Sequence, residues 1–391
     1  MSSQTIDHIG LGKLWRLHPQ RCVVLFVLLV AAAISSSVAI KEALVTGIDF
    51  QWSAAHLLDA GRDPWMTYLS GDKGHEIILG QQPNYLPELY ELLMPLGAMQ
   101  FSHALAWWCG INLLLLGLTL AMVCRLFKLD RFHAALAVLL ILCSTPFRVT
   151  MSNGQHGIFI LFLLTSLYYL SNSVLKGFSL GLSYSKYSFA PLFVLVTLMR
   201  RRFGIFLLSL IPPLSGLLIA WRLLGGNLLT LAIEPLKTSR IAMGPGDADI
   251  MTPAELLLRY AHASPGLVYL LPALLGLGLG IAAAVVISRF DFSGEAEFVL
   301  VTVFTLLCFK HVLYDYVVLL VPLAFLLASA RSKARLWGLL AIGYFWFATS
   351  VLNRMRPGVH LDTSLLNLMM LSVLCVAVVR TCRRSLSRQP L

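Results

Sequence analysis

The chain has 391 residues, 58% of them hydrophobic and only 13% charged, with a mean hydropathy of +0.79 and a formal net charge of +11. A soluble globular domain carries roughly a quarter charged residues, so much of this surface must face something other than water. Several runs reach ~20 residues with few or no charges, enough to cross a hydrocarbon core as helix, which excludes a water-soluble enzyme and makes the chain a multi-pass α-helical membrane protein.

Residues 1–21 carry Lys13, Arg16 and Arg21, a basic flank expected to stay cytoplasmic. The first apolar run, 22–40, is too long for the core of a cleavable signal peptide and reads as an anchor. A long polar segment, 44–102, follows on the outer side. It carries helical patterns at about 50–60 and 86–99, with Trp52, Trp65, Tyr68, Tyr85 and Tyr90 suited to helices lying in the interface plane. Further spans are expected at about 103–124, 132–147 and 157–171.

The stretch 177–199 is long enough for one crossing, but that would strand Arg200, Arg201 and Arg202 outside. Gly181, Ser183, Tyr184, Ser185, Lys186, Tyr187 and Pro191 make its middle polar and breakable. It reads as two short helices meeting near Lys186 on the outer side, where irregular backbone is tolerated if it lines a cavity. Six more spans follow, at about 203–223, 265–288, 296–309, 312–330, 335–351 and 363–380, with a second long outer loop over 224–264. The expected fold is a single all-α integral-membrane domain over 1–391. It has about 12 membrane segments including the broken pair, both termini cytoplasmic, and long extracytoplasmic loops with interfacial helices. Topology accounts for the basic balance, so no nucleic-acid partner is implied. The seven cysteines lie mostly inside apolar runs, never as C-x-x-C, and read as inert thiols.

Few side chains in such a sequence can carry chemistry. Asp49, just past the first span, is either the N-cap of the helix that follows or a base at the membrane boundary, its pKa raised by partial burial. Lys186, inside an apolar segment, either snorkels to the surface or holds an anion at the outer leaflet. In Lys310-His311-Val312-Leu313-Tyr314-Asp315-Tyr316, His311 and Asp315 are spaced i, i+4 and share a face if helix continues through them. That pair is structural, or an imidazole oriented by a carboxylate toward a phosphate. Asn153-Gly154-Gln155-His156-Gly157 is a turn or a set of amides for sugar hydroxyls, and Arg354, Arg356 and His360 form a solvated loop or an anion site. Asp247-Ala248-Asp249 spells D-x-D, a three-residue match that arises easily by chance. P-loop and H-E-x-x-H patterns do not occur.

Together these stretches resemble a known family. Gly-x-Asp-Phe follows span 1, then Ala-Gly-Arg-Asp-Pro-Trp (60–65) and Asn-Tyr-Leu-Pro-Glu-Leu…Met-Pro-Leu (84–96). Asn-Gly-Gln (153–155) opens the fourth span, and Gly-Leu-Ser-Tyr-Ser-Lys-Tyr-Ser-Phe-Ala-Pro (181–191) precedes the arginine cluster. The order and spacing, covering most of 40–205, resemble glycosyltransferase family 87 of the membrane-embedded GT-C class. The resemblance implies a polyprenyl-phosphate sugar donor, mannose or arabinofuranose in known members, and a glycan or glycolipid acceptor at the outer face of the plasma membrane, in contact with membrane lipid. It implies that Asp49 is the base, with Lys186 and His311 on the donor phosphate; Arg354 of the last outer loop is expected, from its charge alone, to add a further cation there. Asn153, Gln155, Tyr85 and Asp315 are then expected on the acceptor or sugar side. The donor carries its own leaving phosphate, so no metal or other cofactor is called for. A transporter or flippase for a lipid-linked sugar is the rival class, and a non-catalytic scaffold a third.

Overall fold

A computed structural model describes residues 19–71, 75–242 and 246–386. Lys13 and Arg16 lie outside the described residues. No strand occurs among the described residues.

The first helix, α1 (Pro19–Ala43), shows why the surroundings must be apolar. Val23, Phe26, Val27 and Ile34 stand exposed, while Ala32, Ser35, Ala39 and Ala43 form a small-residue stripe at helical spacing. That stripe packs on α6 (Arg131–Cys143) and α7 (Thr145–Ser152). Between them come α2 (Trp52–Asp59), α3 (Pro64–Leu69), α4 (Pro87–Gly97) and α5 (Phe101–Leu126). The first three belong to the long polar segment, where α2 and α4 lie near the two expected helical patterns and α3 is an additional short helix. Backbones of α2 and α4 nearly touch at Gly97, where a Cβ would lie 2.7 Å from Ala55 C.

The middle of the chain holds α8 (Gly157–Tyr169), α9 (Ser173–Ser183), a 3₁₀ turn at Tyr184–Lys186, and α10 (Ala190–Met199). The stretch 177–199 is thus broken at Lys186, as its glycine and polar content suggests. Beyond it lie α11 (Phe203–Ser209) and α12 (Ile211–Leu224), then α13 (Leu228–Ala242) and α14 (Met251–Tyr260) in the second long loop. Next are α15 (Pro265–Arg289), α16 (Gly294–Cys308), a 3₁₀ segment Leu313–Leu319 and α17 (Leu320–Ala328). The chain closes with α18 (Lys333–Gly343), a π-turn Tyr344–Ala348, α19 (Thr349–Met355) and α20 (Leu361–Leu386).

Among the described residues six helices are long and apolar enough to cross a membrane, or seven if the bent pair α6–α7 counts as one span. The expected dozen also counted shorter pieces, such as the 13-residue α8 and the 10-residue α10, which are too short to be counted as crossings by length. Nearly every residue of α8 and α16 is enclosed by other helices, so these elements form the centre of the bundle rather than its lipid face. Two boundaries differ from the sequence reading. The run 132–147 is not one straight helix: the chain turns by 54° after Cys143, where Ser144 caps α7 through Phe147 N–H and Pro146 occupies its first turn. No helix passes through His311 to Asp315: Val312 is extended (φ −120°, ψ 167°), and 3₁₀ structure begins only at Leu313. At another corner, Arg200 and Arg202 both bind the buried Glu297, tying the end of α10 to α16.

Candidate active site

After α1 the chain turns sharply at Gly47 (φ +49°), where a Cβ would overlap the Leu105 side chain. Thr46 Oγ1 donates to the Ser152 carbonyl at 2.5 Å, and the Asp49 amide donates to the Asn153 carbonyl at 2.8 Å. Asp49 is thereby fixed to the end of α7. The neighbouring Phe50 ring stacks on Trp108 (5.5 Å), whose Nε1–H donates to the Gly154 carbonyl at 2.9 Å. Gly154 (φ +69°) has no alternative residue at this point, since a Cβ there would meet Phe50 Cβ at 2.8 Å.

The carboxylate itself does not cap α2. That position belongs to Gln51, in the left-handed region (φ 68°), which makes no side-chain cap bond. Gln51 Nε2 instead donates to Asp49 Oδ1 at 2.6 Å, and Gln155 Nε2 donates to Oδ2. Two tyrosines hold these amides in turn: Tyr90 O–H on Gln51 Oε1 at 3.3 Å and Tyr85 O–H on Gln155 Oε1 at 3.4 Å. Burial pushes the Asp49 carboxyl up to about 7, outweighing the two amide hydrogen bonds and the nearby Lys186 charge, which act downward.

Lys186 supplies the positive side. Its ammonium is paired with Asp315 and lies 4.7 Å over the Tyr314 ring. The other Asp315 oxygen faces His311 Nδ1 at 3.3 Å and accepts from Val312 N–H at 3.3 Å. The pair expected on one helix face is therefore held as a cap of the 3₁₀ segment. His311 packs on Phe189 (4.3 Å between ring centres), and its buried Nε2 has no hydrogen-bond partner among the described residues. Behind it, Asp247 N–H donates to the His311 carbonyl at 2.8 Å, pinning the second long loop to the site.

Asp49, Tyr85, Lys186, His311 and Asp315 line a single cavity of about 180 Å³. Gln155 stands directly behind Asp49, while Asn153 contributes its carbonyl. Arg354 is elsewhere, on the wall of a separate cavity between α1, α7 and α19. In the D-x-D stretch, Asp249 is occupied by Thr252 (N–H at 2.8 Å, Oγ1 at 2.9 and 3.0 Å), and Asp247, pushed up to about 7 by burial, faces a different hollow beside Asn367. The sequence reading gives Gln51 no place, and names Tyr314 and Lys310 only as neighbours of His311 and Asp315 without a role of their own. Lys310 reaches the cavity rim but is paired with Glu255. Only for Lys310, a second cation next to His311, was there a signal; Gln51 and Tyr314 act through contacts made by the fold.

The arrangement offers a proton acceptor and a paired cation across one enclosed space. A family model, glycosyltransferase family 87, matches residues 85–309. The matched stretch includes Tyr85, Gln155 and Lys186; Asp49 precedes it and His311 follows it. No curated protein and no solved structure matches the chain.

Proposed function

The chain belongs to glycosyltransferase family 87, and from that premise we propose that it transfers a sugar, with inversion, from a polyprenyl phosphate to the hydroxyl of an envelope glycan or glycolipid. Mannose and arabinofuranose are the sugars expected, and the outer face of the plasma membrane the place. The observation that carries this reading is the shared cavity of Asp49 and Lys186.

The acceptor hydroxyl approaches Asp49, whose carboxylate takes the proton as the oxygen bonds to the anomeric carbon. The bond from that carbon to the phosphate oxygen breaks on the opposite face, and its electron pair leaves with polyprenyl phosphate. Negative charge therefore grows at the phosphate, where Lys186 and the His311 imidazole can meet it. Asp315 acts through them: it pairs with the Lys186 ammonium and aims His311 by holding Nδ1, leaving Nε2 for the ligand. Gln51 and Gln155 fix the carboxylate toward the cavity, so little reorganisation is needed at the moment of transfer.

The test is transfer of radiolabel from polyprenyl-phosphate mannose in membranes containing the full chain. Asp49→Asn should lower turnover by about 10²–10⁴-fold, the usual worth of a general base, while donor binding stays near normal. Near-native turnover by that variant removes Asp49 from the mechanism. Label that changes leaflet without reaching a new glycan would instead favour a flippase.

A further inference from the structure

The second cavity, about 590 Å³, holds an arrangement that the transfer reaction does not use. Arg148 on α7 and Arg354 on α19 line it, together with Glu42, Thr145, Ser152 and Ser350. Several buried or half-buried basic side chains elsewhere do have a carboxylate: Lys186 has Asp315, Lys310 has Glu255, and Arg200 and Arg202 share Glu297. Neither Arg148 nor Arg354 forms an ion pair among the described residues. Among the described residues half-buried Arg148 makes a single weak hydrogen bond, from Nη2 to Thr145 Oγ1 at 3.4 Å. The Arg148 guanidinium, half-withdrawn from water and in no ion pair among the described residues, faces the same hollow as the exposed Arg354, and two arginines against one carboxylate point to an anion.

We propose that this cavity binds the phosphate of an anionic lipid headgroup between Arg148 and Arg354. Two arginines against Glu42 leave one net positive charge, matching the single negative charge of a phosphodiester. The surroundings favour a lipid over a soluble phosphate. Val38, Val149 and Leu313 form the apolar part of the wall, and Val38 continues into the exposed face of α1, one turn from Ile34. A headgroup can therefore enter from the bilayer with its chains along α1. The occupant also bears on the first cavity, because α7 runs from Ser152 into Asn153 and Gln155, which hold Asp49.

The inference is independent of turnover and is tested by binding. Native mass spectrometry of the detergent-solubilised full chain, titrated with phosphatidylglycerol, should show one tightly retained lipid. Arg148→Gln and Arg354→Gln should each weaken retention about tenfold, as expected for loss of one charge-assisted phosphate contact. Arg354 is exposed, so its substitution leaves packing intact and keeps the test valid even if Arg148→Gln folds poorly. Exposed Arg222, at the end of α12, serves as the control, and Arg222→Gln should retain lipid like the native chain. Unchanged retention in Arg354→Gln, or equal loss in Arg222→Gln, overturns the site. Displacement of the lipid by inorganic phosphate at comparable concentration would assign the cavity to a soluble anion and overturn the lipid.

Discussion

At Asp49 two opposing influences meet on one carboxyl group. Hydrogen bonds from Gln51 and Gln155 favour the anion; burial favours the acid and wins, leaving the group near 7. A base must be ionised to act, so turnover should fall as pH drops below about 7 and level off above it. Gln155→Leu removes one bond that the charged form needs and should move this rising limb upward by roughly one pH unit. A kcat/KM profile flat from pH 5.5 to 8, measured with radiolabelled donor, would exclude Asp49 as the base. The opposite pole supports a second prediction. Asp315→Asn strands the Lys186 ammonium in a buried site and should cost about 3–5 kcal/mol, read as a lowered thermal midpoint in detergent. The double change Lys186→Met, Asp315→Leu should restore much of that midpoint without restoring transfer; recovery of transfer would remove both from the reaction. Charges of this kind are visible in the sequence because an apolar chain seldom tolerates them. Gln51 was not visible, since nothing in its neighbours announces a left-handed residue whose amide turns back two positions onto Asp49.

At the scale of elements, the site depends on how closely two turns approach. Gly154 admits Phe50 at a distance no side chain could share. Gly154→Ala adds both a clash at 2.8 Å and a positive-φ penalty, and relief must displace the Gly47–Gln51 turn. Turnover should drop at least about tenfold, since small misplacements of catalytic groups are expensive, while the variant still inserts and folds. Native kcat in the Gly154→Ala variant would show that the turn has slack. Helix positions were largely legible: α1, α5, α15 and α20 begin and end within a few residues of the apolar runs that encode them. The bend after Cys143 was also written in the chain, as Ser-Thr-Pro at 144–146, a helix start placed inside an apolar run. Hydropathy averaged across it and hid the break. The 3₁₀ segment after His311 is different, because i, i+4 spacing fits a helix equally well and only the cap made by Asp315 distinguishes them.

For the whole molecule, the informative fact is which segment ends meet. The turn after α1, the end of α7, the break at Lys186, the second long loop and the entry to the 3₁₀ segment converge on one region, although they are far apart in sequence. Charge balance along the sequence assigns all five to the same side of the membrane, and the convergence is what such an assignment requires. What it leaves hidden is the number of crossings, since α8, α10 and α16 are too short or too enclosed to be counted by length alone. Topology can be tested directly with a membrane-impermeant thiol reagent on intact cells, the seven native cysteines first replaced by alanine. Ser70→Cys, exposed just beyond α3, should be labelled from outside; Arg331→Cys, exposed between α17 and α18, should react only after the membrane is opened. Labelling of both from outside would break the alternation on which the shared side rests. Inverse labelling would turn the cavity toward the cytoplasm, where a donor displayed on the outer leaflet could not reach Asp49.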